Sequence, residues 1–195
     1  MTATSDLDVR DCPPALGDLV DRLAADQEAD AGLAAELAQL RRDAVIRPVV
    51  FVGAGTCGLG AGAAQTLQRV RQHLDARGVA ADVVSVGCIG LCAAEPLLDV
   101  QLPGRTRVCF AEVAADQVPG LLDQALAGQI DPDLVLGQHR NRALEPYADV
   151  PYLDEHPFFA PQTRWVLANC GLIDPDRIDE YLARDGYRAL ARTLR

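Results

Sequence analysis

From Ala15 the apolar positions of this chain fall three and four apart: Leu16, Leu19, Val20 and Leu23, then Leu33, Leu37 and Leu40. An acidic stretch at 26–30 and Gly32 separate the two sets. This spacing predicts two short amphipathic helices ending near Arg42. Pro48 opens a different regime. Val49-Val50-Phe51-Val52 is a continuous apolar run, the signature of a strand whose sheet is covered on both faces. Glycine-rich residues 53–58 follow, then a helix from about Leu59 to Arg77, with Ala63, Leu67, Val70 and Leu74 inward and Gly78 as its stop. Asp82–Val86 predicts a second strand, and Gly87 to Cys92 a second glycine-flanked loop. Leu97–Leu102 and Arg107–Phe110 flank Pro103-Gly104 and read as a hairpin, and Val113–Leu126 returns to a helical period. Residues 128–157 carry Pro, Asp, His and Arg with little periodicity and predict a connector. Structure resumes at Pro157, and Asp174-Pro175 predicts the cap and first turn of a helix from about Arg177.

The order strand, helix, strand, loop, hairpin, helix predicts an α/β fold. Two strands joined by a helix make a parallel pair with a right-handed crossover, and the hairpin adds antiparallel strands. That is the sheet of a thioredoxin-like domain. It divides the chain into an N-terminal tail and helices (1–46), the thioredoxin-like domain (47–128), and a connector with a helical segment (129–195).

Charge narrows the function. The chain has 28 acidic against 18 basic residues, a net charge of −10. Nucleic-acid binding without assistance needs clustered positive charge, so it is not expected. Every basic residue is arginine. The absence of lysine removes both a phosphate-loop ATPase and Schiff-base chemistry. The N-terminus lacks the basic-then-apolar form of a signal peptide. The longest uncharged run, Pro48 to Gln68, is broken by five glycines and makes a poor membrane span. A cytoplasmic protein without membrane insertion is expected. The six cysteines, Cys12, Cys57, Cys88, Cys92, Cys109 and Cys170, are too sparse for a disulfide scaffold. In a reducing compartment, clustered cysteines point instead to metal or redox chemistry.

Three chemistries compete for the two loops. Gly53-Ala54-Gly55-Thr56-Cys57-Gly58 matches the G-x-G-x-x-G of a dinucleotide site, after a strand and opening a helix. The second strand, however, ends without the carboxylate that would hold a ribose. Alternatively, Cys57 in the first loop and Cys88-x-x-x-Cys92 in the second emerge at one sheet edge and can converge as iron–sulfur ligands. Glycines there let backbone N–H groups approach the sulfurs, and the helix that starts at Cys57 favours thiolate. The count is three thiolates where four are usual. Thirdly, Cys88 and Cys92 are candidates for a disulfide, with Cys57 as resolving thiol. The plain alternative to all three is that these cysteines are small buried residues filling a glycine-rich junction.

The run Gly55-Thr56-Cys57-Gly58-Leu59-Gly60-Ala61-Gly62-Ala63, the run from Val86 through Cys88 and Cys92 to Val100, and Leu102-Pro103-Gly104 resemble the thioredoxin-like 2Fe–2S ferredoxin domain. More narrowly, they resemble its form at the N-terminus of NADH-binding flavoprotein subunits of respiratory complex I, NAD-linked hydrogenases and NAD-linked formate dehydrogenases. Pro157 to Arg164, Asn169 to Pro175, Ile178 to Tyr181 and Gly186 to Leu190 are similar to the segment leading into the flavin domain there. The resemblance implies an electron-transfer module or accessory subunit of an NADH-dependent oxidoreductase, not catalytic alone. It implies a 2Fe–2S cluster on Cys57, Cys88 and Cys92, and as partners flavoprotein and other iron–sulfur subunits. The first loop departs from the family in having one cysteine instead of two, so the fourth ligand is unassigned. Cys12, Cys170, His73 and a partner chain are its candidates, and Cys109 reads as core. The alternatives are a cluster-free docking subunit and a thiol-redox protein. The chain reaches Arg195 before the family's flavin and NADH motifs, so FMN and NAD are not expected on it.

Elsewhere plainer readings compete. Phe158, Phe159 and Trp165 read either as a docking patch or as packing onto the core. Asn169-Cys170-Gly171 reads as a turn, and Glu95-Pro96 as the element that sets the loop-to-strand turn. His73, His139 and His156 read as ordinary surface or helix positions, and Arg140 and Arg142 as solvated.

Overall fold

The computed structural model describes residues 31–43 and 45–193. The predicted helix through Leu16–Leu23 and the cysteine at position 12 lie outside them. Helix α1 (Ala31–Leu40) leads to β1 (Val49–Gly53), α2 (Thr56–Ala61), α3 (Ala63–Arg77) and β2 (Asp82–Val86). Then come β3 (Leu98–Gln101), β4 (Val108–Phe110), α4 (Val118–Leu126) and β5 (Val135–Gln138), followed by α5 (Ile178–Leu182) and α6 (Arg188–Thr193). The strands form one sheet in the order β2-β1-β3-β4-β5. β1 and β2 are parallel, and every other neighbouring pair is antiparallel. This is the α/β, thioredoxin-like sheet.

Two elements differ from the sequence reading. The single helix expected over 59–77 is two helices, because Gly62 sits at φ 109°, a left-handed conformation that ends α2 and starts α3. The stretch read as connector contains β5. Its register places Gln138 opposite Val108 and Gly137 opposite Cys109. A four-residue strand bearing a glycine and a glutamine carries too little period-two pattern to be read. Tertiary contacts make it: a side chain at Gly137 would lie 3.0 Å from the Leu153 backbone. The buried Gln138 amide donates to the carbonyls of Tyr147 and Val150, while its oxygen accepts from the Thr106 hydroxyl and the Tyr147 N–H. These four bonds fasten the chain after β5 onto the sheet.

Alternation along the strands gives the sheet two unlike faces. Val50, Val52, Leu98, Val100, Val108 and Phe110 face α3 and α4, packing with Val70, Leu74, Val118 and Leu122 in the main core. On the opposite face, Phe51 stands opposite Asp99, and Asp99 opposite Cys109. Arg107, one residue before β4, donates to the Asp99 carboxylate at 2.6 Å and to the Gly171 carbonyl at 2.8 Å. Its guanidinium lies 3.6 Å from the centroid of the Phe51 ring. His139, read from sequence as a surface residue, is packed against Asp99 at 3.3 Å. Burial alone would push the Asp99 carboxyl up, but the Arg107 charge, with His139 and the Cys109 thiol, outweighs it and holds it below the usual aspartate range.

Asp99→Asn leaves Arg107 buried without its counter-charge and is expected to cost about 3–5 kcal/mol in denaturant unfolding. Because the folded carboxyl titrates below the unfolded one, the contribution is present above the unfolded aspartate pKa of about 3.9 and is lost as pH falls through the folded value. Parent and variant stabilities should therefore converge in acid. A gap that persists unchanged below that range would contradict the assignment.

Candidate functional site

β1 and β2 run parallel, so the loops after them leave the same edge of the sheet. The first loop is tied to the second by the Ala54 N–H, which donates to the Val86 carbonyl at 2.8 Å. Gly55 is needed at this crossing, since a Cβ there would stand 3.0 Å from the Cys88 Cβ. Cys57 falls in the first turn of α2, and Cys92 opens a short 3₁₀ turn (Cys92–Ala94). The Cys88 and Cys92 sulfurs are 3.8 Å apart, and the Cys57 thiol lies near enough to Cys92 to raise its pKa. The Gly90 N–H donates to the Cys88 Sγ at 3.2 Å, the kind of backbone contact that stabilises sulfur charge. The three sequence-predicted cysteines thus form a row with Cys92 in the middle. Cys57 and Cys92 are exposed and Cys88 half-buried, so they are not core filler.

Beneath the row lies a carboxylate that the sequence reading treated only as part of a turn. Glu95 is buried, and its Oε2 accepts from the Leu97 N–H at 2.9 Å. Its Oε1 has no partner among the described residues. A Cβ on Gly53 or Gly58 would meet Oε2 at 2.8 or 3.0 Å, so bare backbone in the first loop makes room for this group. Burial pushes the Glu95 carboxyl up, with the Leu97 N–H and the Cys88 thiol pulling it down. The thiols shift upward too. Burial raises Cys88, and the neighbouring Cys57 thiol raises Cys92.

The remaining residues are placed elsewhere. Cys109 is buried between Asp99 and the small apolar cluster of Ile89, Ala94, Leu97, Leu153 and Phe159. His73 pairs with Asp123 at 2.9 Å on α3, away from the loops. Cys170 and Gly171 form a turn that packs behind the second loop, where a side chain on Gly171 would meet Ile89 at 2.2 Å. Asp174 makes a local turn with the Asp176 N–H instead of capping α5, whose first turn begins after Arg177. Phe159 is buried while Trp165 is 84% exposed, so the aromatic segment divides between packing and surface. Arg140 pairs with Asp154 and Glu155 and stacks on Tyr152.

Two thiolates on one tetrahedral metal, with bonds of about 2.3 Å, stand about 3.8 Å apart. The Cys88–Cys92 spacing matches that. No three His, Cys, Asp or Glu side chains among the described residues converge to hold a single ion. A binuclear centre takes its ligands in pairs, and the second pair is represented by Cys57 alone. The donor set fits in kind and in the spacing of one pair, and it is one thiolate short.

No family model matches the chain. A solved thioredoxin-like [2Fe-2S] ferredoxin from Aquifex aeolicus is similar to part of it, at 16% identity and TM-score 0.42, over 52% of this chain and all of that one. A second structure, of the wild-type ferredoxin from the same organism, gives 17% identity and TM-score 0.40 over 47% of this chain and 98% of that one. The fold assignment stands on the strand order and register above. No helix among the described residues is long and apolar enough to cross a membrane.

Two measurements probe the site. In metal-free protein, Cys57 and Cys92 should react promptly with a disulfide reagent and Cys109 only on unfolding; early labelling of Cys109, mapped by mass spectrometry, would show the site misplaced. Gly58→Ala puts a Cβ 2.1 Å from the Gly53 carbonyl and is expected to cost about 1–3 kcal/mol. Gly60→Ala, two residues on, meets nothing within 4 Å and should be neutral or stabilising. Equal stability of the two variants would refute the packing argument.

Proposed function

We propose that this chain is an electron-transfer module, with an iron–sulfur centre of the 2Fe–2S type held on Cys57, Cys88 and Cys92. The observation that carries the reading is the gathering of three thiols, two of them exposed, at the edge where both parallel strands end, with the Cys88 and Cys92 sulfurs 3.8 Å apart. The Glu95 carboxylate is the candidate fourth donor: its Oε1 is buried and has no partner among the described residues. When bound, such a centre supplies one-electron transfer without transforming a substrate on this chain. The chain's own residues would hold it from one side, with Gly90 donating to the Cys88 sulfur and the glycines at 53, 55 and 58 keeping side chains out of the way. The sequence resemblance supports a place beside flavoprotein and iron–sulfur subunits of an NAD-linked oxidoreductase. The cysteine count favours a second reading, a cluster-free docking subunit of such a complex that keeps the fold without the metal.

The test is anaerobic purification followed by iron and acid-labile sulfide per chain and EPR after dithionite reduction. About two irons and two sulfides with a reduced rhombic signal are expected. Cys88→Ser and Cys92→Ser should lower the iron retained, and Glu95→Gln should change the signal if the carboxylate is a ligand. Protein that stays free of metal after reconstitution would overturn the iron–sulfur reading.

A further inference from the structure

The chain is strongly acidic, yet five of its 18 arginines line one cavity of about 230 Å³ on the second face of the sheet. Arg41 and Arg42 come from the end of α1, Arg107 from before β4, Arg140 from after β5 and Arg184 from after α5. Phe51 supplies part of the wall, with the Arg107 and Arg42 guanidinium groups over its ring at 3.6 and 5.5 Å. The carboxylates that balance these cations are mostly not in the cavity wall. Glu180 pairs with Arg42, Asp99 with Arg107, and Asp154 and Glu155 with Arg140. None of the four lines the cavity, whose one acidic residue among the described residues is Asp43, paired with Arg41 at 2.8 Å.

Arg184 is the cation left over. Its Nε is buried and has no partner among the described residues. Its Nη2 donates to the Arg41 carbonyl, at 3.4 Å. Burial lowers its pKa; Asp43 opposes this, while Arg41, Arg107 and Arg42 add to it. A guanidinium held among other guanidiniums, with donors unspent, is under-satisfied in a way an anion relieves.

We propose that this cavity is a binding site for a small oxyanion of two or more negative charges, a phosphate or a short dicarboxylate, with Arg184 as its anchoring donor. Arginine forks match both chemistries bidentately. The volume is below the roughly 300 Å³ at which pockets for larger organic ligands begin, which fits an anion of this size in preference to a nucleotide. The site is separate from the cysteine loops and does not rest on the iron–sulfur reading.

Calorimetric titration with inorganic phosphate and, separately, with succinate tests it, using chloride at matched ionic strength as the reference. Saturable binding of at least one is expected, and which one binds distinguishes phosphoryl from carboxylate chemistry. Arg184→Gln, which breaks no ion pair among the described residues and can be checked for folding by circular dichroism, should weaken binding by about tenfold or more. Arg47→Gln, outside the cavity and paired with Asp82, should leave it unchanged. No saturable binding of either anion, or equal affinity in Arg184→Gln, would overturn the proposal.

Discussion

The charge of Arg107, buried on one face of the sheet, is the constraint that organises much of the molecule. A guanidinium there needs an acceptor and a surface to lie on, and the strands provide both through period-two alternation: Asp99 on β3 and the Phe51 ring on β1. A second of its donors is met by the Gly171 carbonyl, seventy-odd residues from β3 in sequence. A sheet with an apolar second face would call for another amphipathic helix. In this one the polar groups find partners in irregular chain: the Gly171 carbonyl meets Arg107, and the Gln101 amide donates to the Arg42 carbonyl. The bidentate Arg42–Glu180 pair repeats the device one layer out, joining the end of α1 to α5.

The same turn connects that face to the cysteines. Gly171 packs against Ile89, the residue after Cys88, so the anchor that satisfies Arg107 also backs the second loop. On the other side the loop is tied to the first through the Ala54–Val86 hydrogen bond and the Gly55 contact. The thiol row is thus held between two supports: the bare backbone over Glu95 and the C-terminal turn. The segment beyond residue 157, which reads from sequence as the lead-in to another domain, also forms part of this scaffold.

Much of this was legible, for identifiable reasons. β1 and β2 could be read because continuous apolar runs bounded by glycines leave few alternatives, and the convergence of Cys57 with Cys88 and Cys92 followed from two loops leaving one edge of a parallel pair. What could not be read depends on tertiary partners. β5 exists because Gln138 is bonded four ways and Gly137 admits the Leu153 backbone, and neither fact has a sequence period. Asp99, Gln101 and Arg107 alternate with apolar residues just as solvent-facing positions do, so a buried charged face looks the same in sequence as an exposed one. Glu95 was hidden for a similar reason: beside a proline it reads as turn chemistry, and only the space beneath Gly53 and Gly58 marks it as a buried carboxylate.

The absence of lysine acquires a physical meaning in this setting. A desolvated ammonium readily gives up its proton, whereas a guanidinium remains charged and keeps its donors in a fixed plane. Burial lowers the Arg184 pKa, and the arginines beside it lower it further, yet a guanidinium starts far above neutrality. Lysine in that position would be driven toward the neutral amine, removing the reason for an anion to bind there. The Arg107–Asp99 pair has the same requirement, because Asp99 stays ionised only beside a cation that burial does not neutralise. Arginine is therefore the one basic side chain suited both to holding this face of the sheet together and to keeping a positive cavity on an otherwise acidic protein.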